Sequence, residues 1–163
     1  MKCLIIYDSY FGNTEKIAQA VGSSLAASLD VDVVRISELK PDILSGVEVL
    51  IAGTPTRGFR ASDAFKAFLK EMPATQFKNI KVAAFDTRIA LEDMDNKVGH
   101  FFMKIFGYAA GPLTEQLKAK GGQVIVPGEG FYVLDSEGPL KDGELERAAA
   151  WAKNILMALS GKA

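Results

Sequence analysis

The stretch Tyr7-Asp8-Ser9-Tyr10-Phe11-Gly12-Asn13-Thr14 decides how this chain is read. It joins an apolar run, Cys3-Leu4-Ile5-Ile6, to a segment with apolar residues at helical spacing, Ile17, Val21 and Leu25. That order makes it a strand-to-helix turn, in which unpaired backbone N–H groups and the positive end of a helix face outward. A phosphate or another anion suits such a turn. Ser9, Asn13 and Thr14 add side-chain donors, and Gly12 lets the backbone approach a ligand closely. The alternative is a tight turn that only caps a structural helix.

Working outward, the chain alternates between two periods. A helix is predicted from residue 14 to about 29, then a strand rich in β-branched residues at 31–36 and a strongly apolar strand at 47–52. The latter ends in a second turn, Gly53-Thr54-Pro55-Thr56-Arg57-Gly58-Phe59-Arg60. Ser62 or Asp63 can cap a helix whose Phe65, Phe68, Leu69 and Met72 follow the i, i+3, i+4, i+7 rule, and Pro73 closes it. A fourth strand at 80–85 ends in the polar corner Asp86-Thr87-Arg88. Gly111-Pro112 opens a further helix and Gly121-Gly122 ends it. A fifth strand at 123–126 resumes at 131–134 beyond Pro127, Gly128 and Gly130. Asp142 can cap the last helix, with a buried stripe at Leu145, Ala148, Ala149, Ala152, Ile155, Leu156 and Leu159.

Strands apolar throughout, alternating with amphipathic helices, call for a parallel sheet covered on both faces. The chain has 163 residues, 48% of them hydrophobic, which allows a substantial core and one domain over residues 1–163. An eight-fold barrel needs roughly 250 residues. The expected fold is therefore a three-layer, doubly wound α/β domain with a five-stranded parallel sheet. Ligands of such sheets bind beyond the carboxyl ends of the strands. Three polar turns meet there: residues 9–14, 54–60 and 86 to about 93.

Composition excludes several classes. With 19 basic and 20 acidic residues the net charge is -1, so nothing in bulk argues for nucleic acid or an anionic membrane. The basic residues do not cluster with aromatics on one element. The single cysteine, Cys3, excludes an internal disulfide and agrees with a reducing cytoplasm; in the first strand it reads as a small buried hydrophobe. The N-terminal apolar run breaks at Asp8, too early for a signal peptide or a spanning helix, which leaves a soluble cytoplasmic protein as the expectation. The first turn lacks the lysine of a nucleoside triphosphate loop, against a kinase or GTPase. No Cys/His cluster supports a metal and no Ser/His/Asp order supports hydrolysis.

Ser9-x-x-Gly12-Asn13-Thr14 directly after the first strand, Ile17 and Ala18 in the helix that follows, and Gly53-x-Pro55-Thr56 at the second turn resemble the flavodoxin family. The likeness runs over nearly the whole chain and extends to Glu137-Gly138-Pro139-Leu140 and to Gly143-Glu144-Leu145-Glu146-Arg147-Ala148 with Trp151-Ala152. It implies strand order 2-1-3-4-5 and FMN as cofactor; that order comes with the family and not from the spacing of the elements. It also implies that Ser9, Gly12, Asn13 and Thr14 hold the FMN phosphate, with the backbone of Tyr10 and Phe11 adding donors. The flavin ring would lie at Pro55, Thr56, Arg57, Gly58 and Phe59 and at Asp86, Thr87 and Arg88.

The chain departs from the family at the ring end. Phe11 stands where many flavodoxins have a hydroxyl, and Arg57, Phe59 and Arg88 stand where many carry an aromatic pair. An arginine beside the ring would favour the reduced, anionic flavin and hold the potential of the second electron less negative than in strongly acidic flavodoxins. The arginines have an alternative reading as ion-pair partners of Asp63, Asp86, Glu92 or Asp93, and Asp86 either caps its loop or accepts from the ribityl chain. The stripe Val98, Phe101, Phe102, Ile105 and Phe106, followed by Tyr108, reads as a helix packed on its own core; a flavin lid, a quinone contact or a homodimer face are the alternatives. His100 beside it reads as a packing or solvated residue.

The expected function is an FMN-binding electron carrier whose partner is a redox protein or a small-molecule acceptor, with no nucleic acid and no membrane span. The alternatives are an FMN-dependent oxidoreductase of the NAD(P)H:quinone type and a non-redox flavodoxin-like binding module.

Overall fold

The computed structural model describes residues 1–40, 42–57, 60–93 and 108–161. Its strands are β1 (Lys2–Tyr7), β2 (Asp30–Arg35), β3 (Val49–Pro55), β4 (Lys81–Ile89), β5 (Gln123–Val124) and β6 (Glu129–Val133). Its helices are α1 (Asn13–Leu25), α2 (Asp63–Glu71), α3 (Ala110–Ala119) and α4 (Glu144–Leu159). The sheet is parallel, in the order β2-β1-β3-β4-β5, and β6 continues the edge along the same neighbour, β4. The fifth strand is thus one edge in two pieces, broken where Pro127 and Gly128 interrupt it.

The period of two along the central strands explains why they are apolar throughout. Cys3, Ile5 and Tyr7 of β1, Val49 and Ile51 of β3, and Ala83 and Phe85 of β4 face the layer built by α1 and α4. The intervening Leu4 and Ile6, Leu50 and Ala52, and Val82 and Ala84 face the layer built by α2 and α3. Each layer has an aromatic centre. On the first, Phe85, Phe131 and Trp151 meet edge-on at 5.8, 5.9 and 6.2 Å between centroids. On the second, Phe65 and Phe77 are fully buried. Such a pair of dry layers fixes the sheet's register, and with it the carboxyl edge.

Several element ends differ from the sequence reading. α1 stops at Leu25 instead of running to residue 29, because the chain must turn so that Asp30 can donate to the Met1 carbonyl and start β2. Ser62 is the cap of α2, its hydroxyl accepting from Phe65 N at 3.4 Å. Asp142 does not cap α4: Gly143 takes the cap position at φ 83 with no side-chain bond. The Glu144 carboxylate turns instead to the Tyr132 amide, 2.8 Å away. Pro112 lies in the first turn of α3, where its missing N–H has no intrahelical acceptor to lose. The stripe at residues 98–106 and His100 lie outside the described residues.

Candidate functional site

The carboxyl ends of β1, β3 and β4 open into a cleft of about 270 Å³. Ser9, Tyr10, Phe11, Asn13 and Thr14 line one side, Pro55, Thr56 and Arg57 another, and Thr87, Arg88 and Ile89 the floor, with Val133 and Ser136 beyond. The three turns singled out in the sequence therefore meet in one place. Gly58 and Phe59 fall outside the described residues; Arg57 and Arg60 exchange backbone hydrogen bonds of 3.1 Å. Ile89, Val133 and Ser136 were not singled out by sequence; apolar or neutral residues at strand ends carry no local signal of a site.

The first turn is built around one backbone conformation. Gly12, at φ 82, is the N-cap of α1 and has no side chain to cap it. An added Cβ would meet nothing within 4 Å, so glycine serves here for its torsion rather than for close approach. The first N–H groups of α1 are left without intrahelical acceptors at the site's edge. Asp8, itself buried, accepts from Ser9 N at 2.9 Å, and Arg35 at the end of β2 donates to the Ser9 carbonyl. These two bonds pin the turn from below and leave the Ser9 hydroxyl aimed away from protein partners. Ser9 is 2% exposed, and its Oγ is the one buried side-chain polar atom among the described residues with no hydrogen-bond partner. Arg35 was missed in the sequence, although its place opposite Tyr7 in the register puts a cation at the carboxyl edge.

Asn13 and Thr14 make longer-range contacts than the sequence suggested. Asn13 Nδ2 donates to the Glu137 carbonyl at 3.0 Å, which ties the loop after β6 to the first turn. Thr14 Oγ1 lies 2.8 Å from Thr87 Oγ1, linking α1 to the end of β4. Thr56 also turns inward, its hydroxyl accepting from Ala109 N at 3.1 Å at the start of α3.

Asp86 does not line the cleft. Its fully buried carboxylate accepts from Arg88 Nε at 2.5 Å and Nη2 at 2.8 Å, and from Ala110 N at 2.6 Å. Burial pushes this carboxyl above its ordinary range, while the Arg88 guanidinium and the α3 amide pull the other way. Among the described residues Asp86 accepts from no backbone amide of its own loop; its carboxylate pairs with Arg88 and accepts from the first amide of α3 instead. Arg88 is an ion-pair partner, as its alternative reading had it, yet it still faces the cleft. Arg57 is exposed and rests over Tyr10 and Phe11, with Cζ 5.0 and 6.0 Å from the ring centroids. Among the described residues no group of three or more His, Cys, Asp or Glu is placed to hold a metal, and no helix is long and apolar enough to cross a membrane.

A parallel 2-1-3-4-5 sheet with an uncapped helix N-terminus and a spare buried hydroxyl at its carboxyl edge defines an α/β protein built to hold a phosphate-bearing ligand. The comparisons narrow this class: a family model described as Flavodoxin matches residues 5–151, and the chain belongs to the flavodoxin family. A protein called Flavodoxin from Synechocystis is 28% identical over 147 residues, covering 86% of this chain and 78% of that one. A Probable flavodoxin 1 from Bacillus subtilis is 33% identical over 90 residues; the match covers 52% of this chain and 54%, about half, of that relative. In fold, the chain superposes on a flavodoxin from the domain Archaea with a TM-score of 0.75 at 21% identity, with 100% of both chains covered. Flavodoxin-family proteins bind FMN, and the cleft fits that group: the orphaned Ser9 hydroxyl and the free amides of the first turn are donors that a phosphate would satisfy.

Proposed function

We propose that this protein is an FMN-dependent electron carrier, with the FMN phosphate at the first turn of α1 and the ring beside Thr56, Arg57, Thr87 and Arg88. The observation that carries this reading is the unpartnered Ser9 Oγ, buried at the uncapped start of a helix. A buried hydroxyl without a partner costs about 1–3 kcal/mol, a cost removed when an anion accepts from it. The bonds from Asp8 and Arg35 hold Ser9 in that orientation before any ligand arrives.

Thr14 takes part through Thr87. A hydroxyl has one proton, so Thr14 can donate to a phosphate only while accepting from Thr87; the 2.8 Å contact permits this order, Thr87 to Thr14 to phosphate. Asn13 contributes by holding the Glu137 loop against the turn. FMN itself supplies the redox chemistry, taking up and passing on electrons one or two at a time. Tyr10 and Phe11, 48% and 46% exposed, flank the opening and give a partner apolar surface close to the cofactor.

The partner in this reading is a redox protein or a small electron acceptor met in solution. We place the protein in the cytoplasm as a single domain, a setting consistent with its one cysteine, buried and unpaired. The carrier reading is tested by loading the protein with FMN, removing the excess and measuring NAD(P)H turnover with a quinone. A carrier retains flavin absorbance and turns over no faster than free FMN; sustained turnover at enzyme rates assigns it to the oxidoreductases instead.

A further inference from the structure

Arg57 and Arg88 both reach the ring end of the cleft, but the fold treats their charges differently. The Arg88 side chain is 13% exposed and lies between the Tyr108 ring, 3.8 Å from Cζ to centroid, and the backbone of Gly130. A Cβ at Gly130 would stand 2.1 Å from Arg88 Cζ, so only glycine leaves this seat open. Residues 86 and 88 share one face of β4, and Asp86 engages two of the three guanidinium nitrogens, Nε and Nη2. The same carboxylate is anchored by the α3 amide at Ala110. Arg88 is thus clamped on both faces and along one edge, and its charge is matched by a carboxylate with no exposed surface. Arg57 has no carboxylate within ion-pair distance among the described residues and rests only on two exposed rings.

We infer that Asp86 is a positioning residue that holds Arg88 flat and cancels its charge, leaving Arg57 as the cation that biases the site toward reduced FMN. The inference rests on the FMN reading given above. Reduced, anionic FMN carries one more negative charge than oxidised FMN, so an uncompensated cation beside the ring favours it. The field of a close ion pair fades much faster with distance than that of a lone charge, so Arg57, although exposed and partly screened by water, outweighs the paired Arg88. Among the described residues Arg88 Nη1 has no hydrogen-bond partner, and Arg88 lines the cleft, so its part is to orient the ring.

The test measures dissociation constants for oxidised and for reduced FMN on wild type, Arg57→Gln, Asp86→Asn and the double variant Asp86→Asn/Arg88→Met. The readout is the ratio of the oxidised constant to the reduced one. Arg57→Gln lowers this ratio and Asp86→Asn raises it, each by about tenfold, the size of one moderately screened charge interaction. The neutral double variant stays within about twofold of wild type, since replacing a whole buried pair leaves no lone charge behind. In the protein without FMN, phenylglyoxal modifies Arg57 faster than Arg88, and Asp86→Asn narrows that difference. If Asp86→Asn does not fold, the contrast between Arg57→Gln and the double variant decides. An Asp86→Asn ratio equal to wild type, or a double variant shifted as far as Arg57→Gln, overturns the inference while the FMN reading stands. A wild-type protein that binds no FMN overturns both.

Discussion

The hydroxyls of Thr14 and Thr87 lie 2.8 Å apart, bridging 73 residues of sequence between the first turn of α1 and the end of β4. If the order is Thr87 to Thr14 to phosphate, Thr87→Val removes the donor that orients Thr14 without changing side-chain shape. FMN affinity falls about three- to tenfold, and stability falls by about 1 kcal/mol for the lost buried bond. Thr87→Ser keeps both near wild type. Fluorescence titration with FMN and urea unfolding check the pair, and an affinity for FMN untouched by Thr87→Val contradicts the relay.

Gly12 holds φ 82 with open space around an added Cβ. Gly12→Ala therefore carries a torsional cost alone, about 1–2 kcal/mol, and Gly12→Asn costs less because asparagine tolerates the left-handed region. Urea midpoints in the order wild type, Asn, Ala are expected. An Ala variant as stable as wild type shows that the turn does not need this torsion.

Asn13 joins two loops through its bond to the Glu137 carbonyl. Asn13→Ala is expected to lower stability by about 1 kcal/mol. It also speeds amide exchange in residues 135–139 while leaving the β1 and β3 amides protected. Exchange measured by mass spectrometry on the protein without FMN separates this tie from any contact with the cofactor.

Cys3 gives a pH dependence of defined sign. Burial pushes its thiol from 9.0 up to about 12, so in the folded protein it stays protonated where the unfolded chain has already lost its proton. Between pH 9.0 and about 12 the native state binds more protons than the unfolded one, and stability falls with rising pH by up to ~1.4 kcal/mol per pH unit. Below pH 9.0 the contribution is fully present. Cys3→Ala is expected to lose stability less steeply between pH 9 and 10, the lower part of this window. At pH 8 a thiol reagent labels the wild type in urea but not when folded. Rapid labelling of the folded protein contradicts the burial.

The fold was legible because β1, β3 and β4 are apolar on both faces, a pattern that only a covered parallel sheet explains, and the first turn was legible because a strand and a helix enclose it within a few residues. What stayed hidden is what depends on remote partners. Nothing local to Asn13 announces Glu137, and nothing near Thr14 announces Thr87. The sequence reading ends the fourth strand at residue 85 and leaves Asp86-Thr87-Arg88 as a corner; β4 in fact runs on to Ile89, which puts Asp86 and Arg88 on one strand face, and their pairing is settled by α3 and Gly130, which arrive more than 20 residues later. Arg35 illustrates the same limit, since its role appears only once β2 is set beside β1.

The most direct test of the central claim compares FMN with riboflavin, which lacks only the phosphate, on wild type and Ser9→Ala. Wild type is expected to bind FMN at least about a hundredfold more tightly than riboflavin, as several charge-assisted bonds at a helix N-terminus imply. Ser9→Ala is expected to weaken FMN about tenfold while leaving riboflavin unchanged. Equal affinity for the two flavins, or an FMN affinity indifferent to Ser9→Ala, would contradict the assignment of this turn as the phosphate cradle.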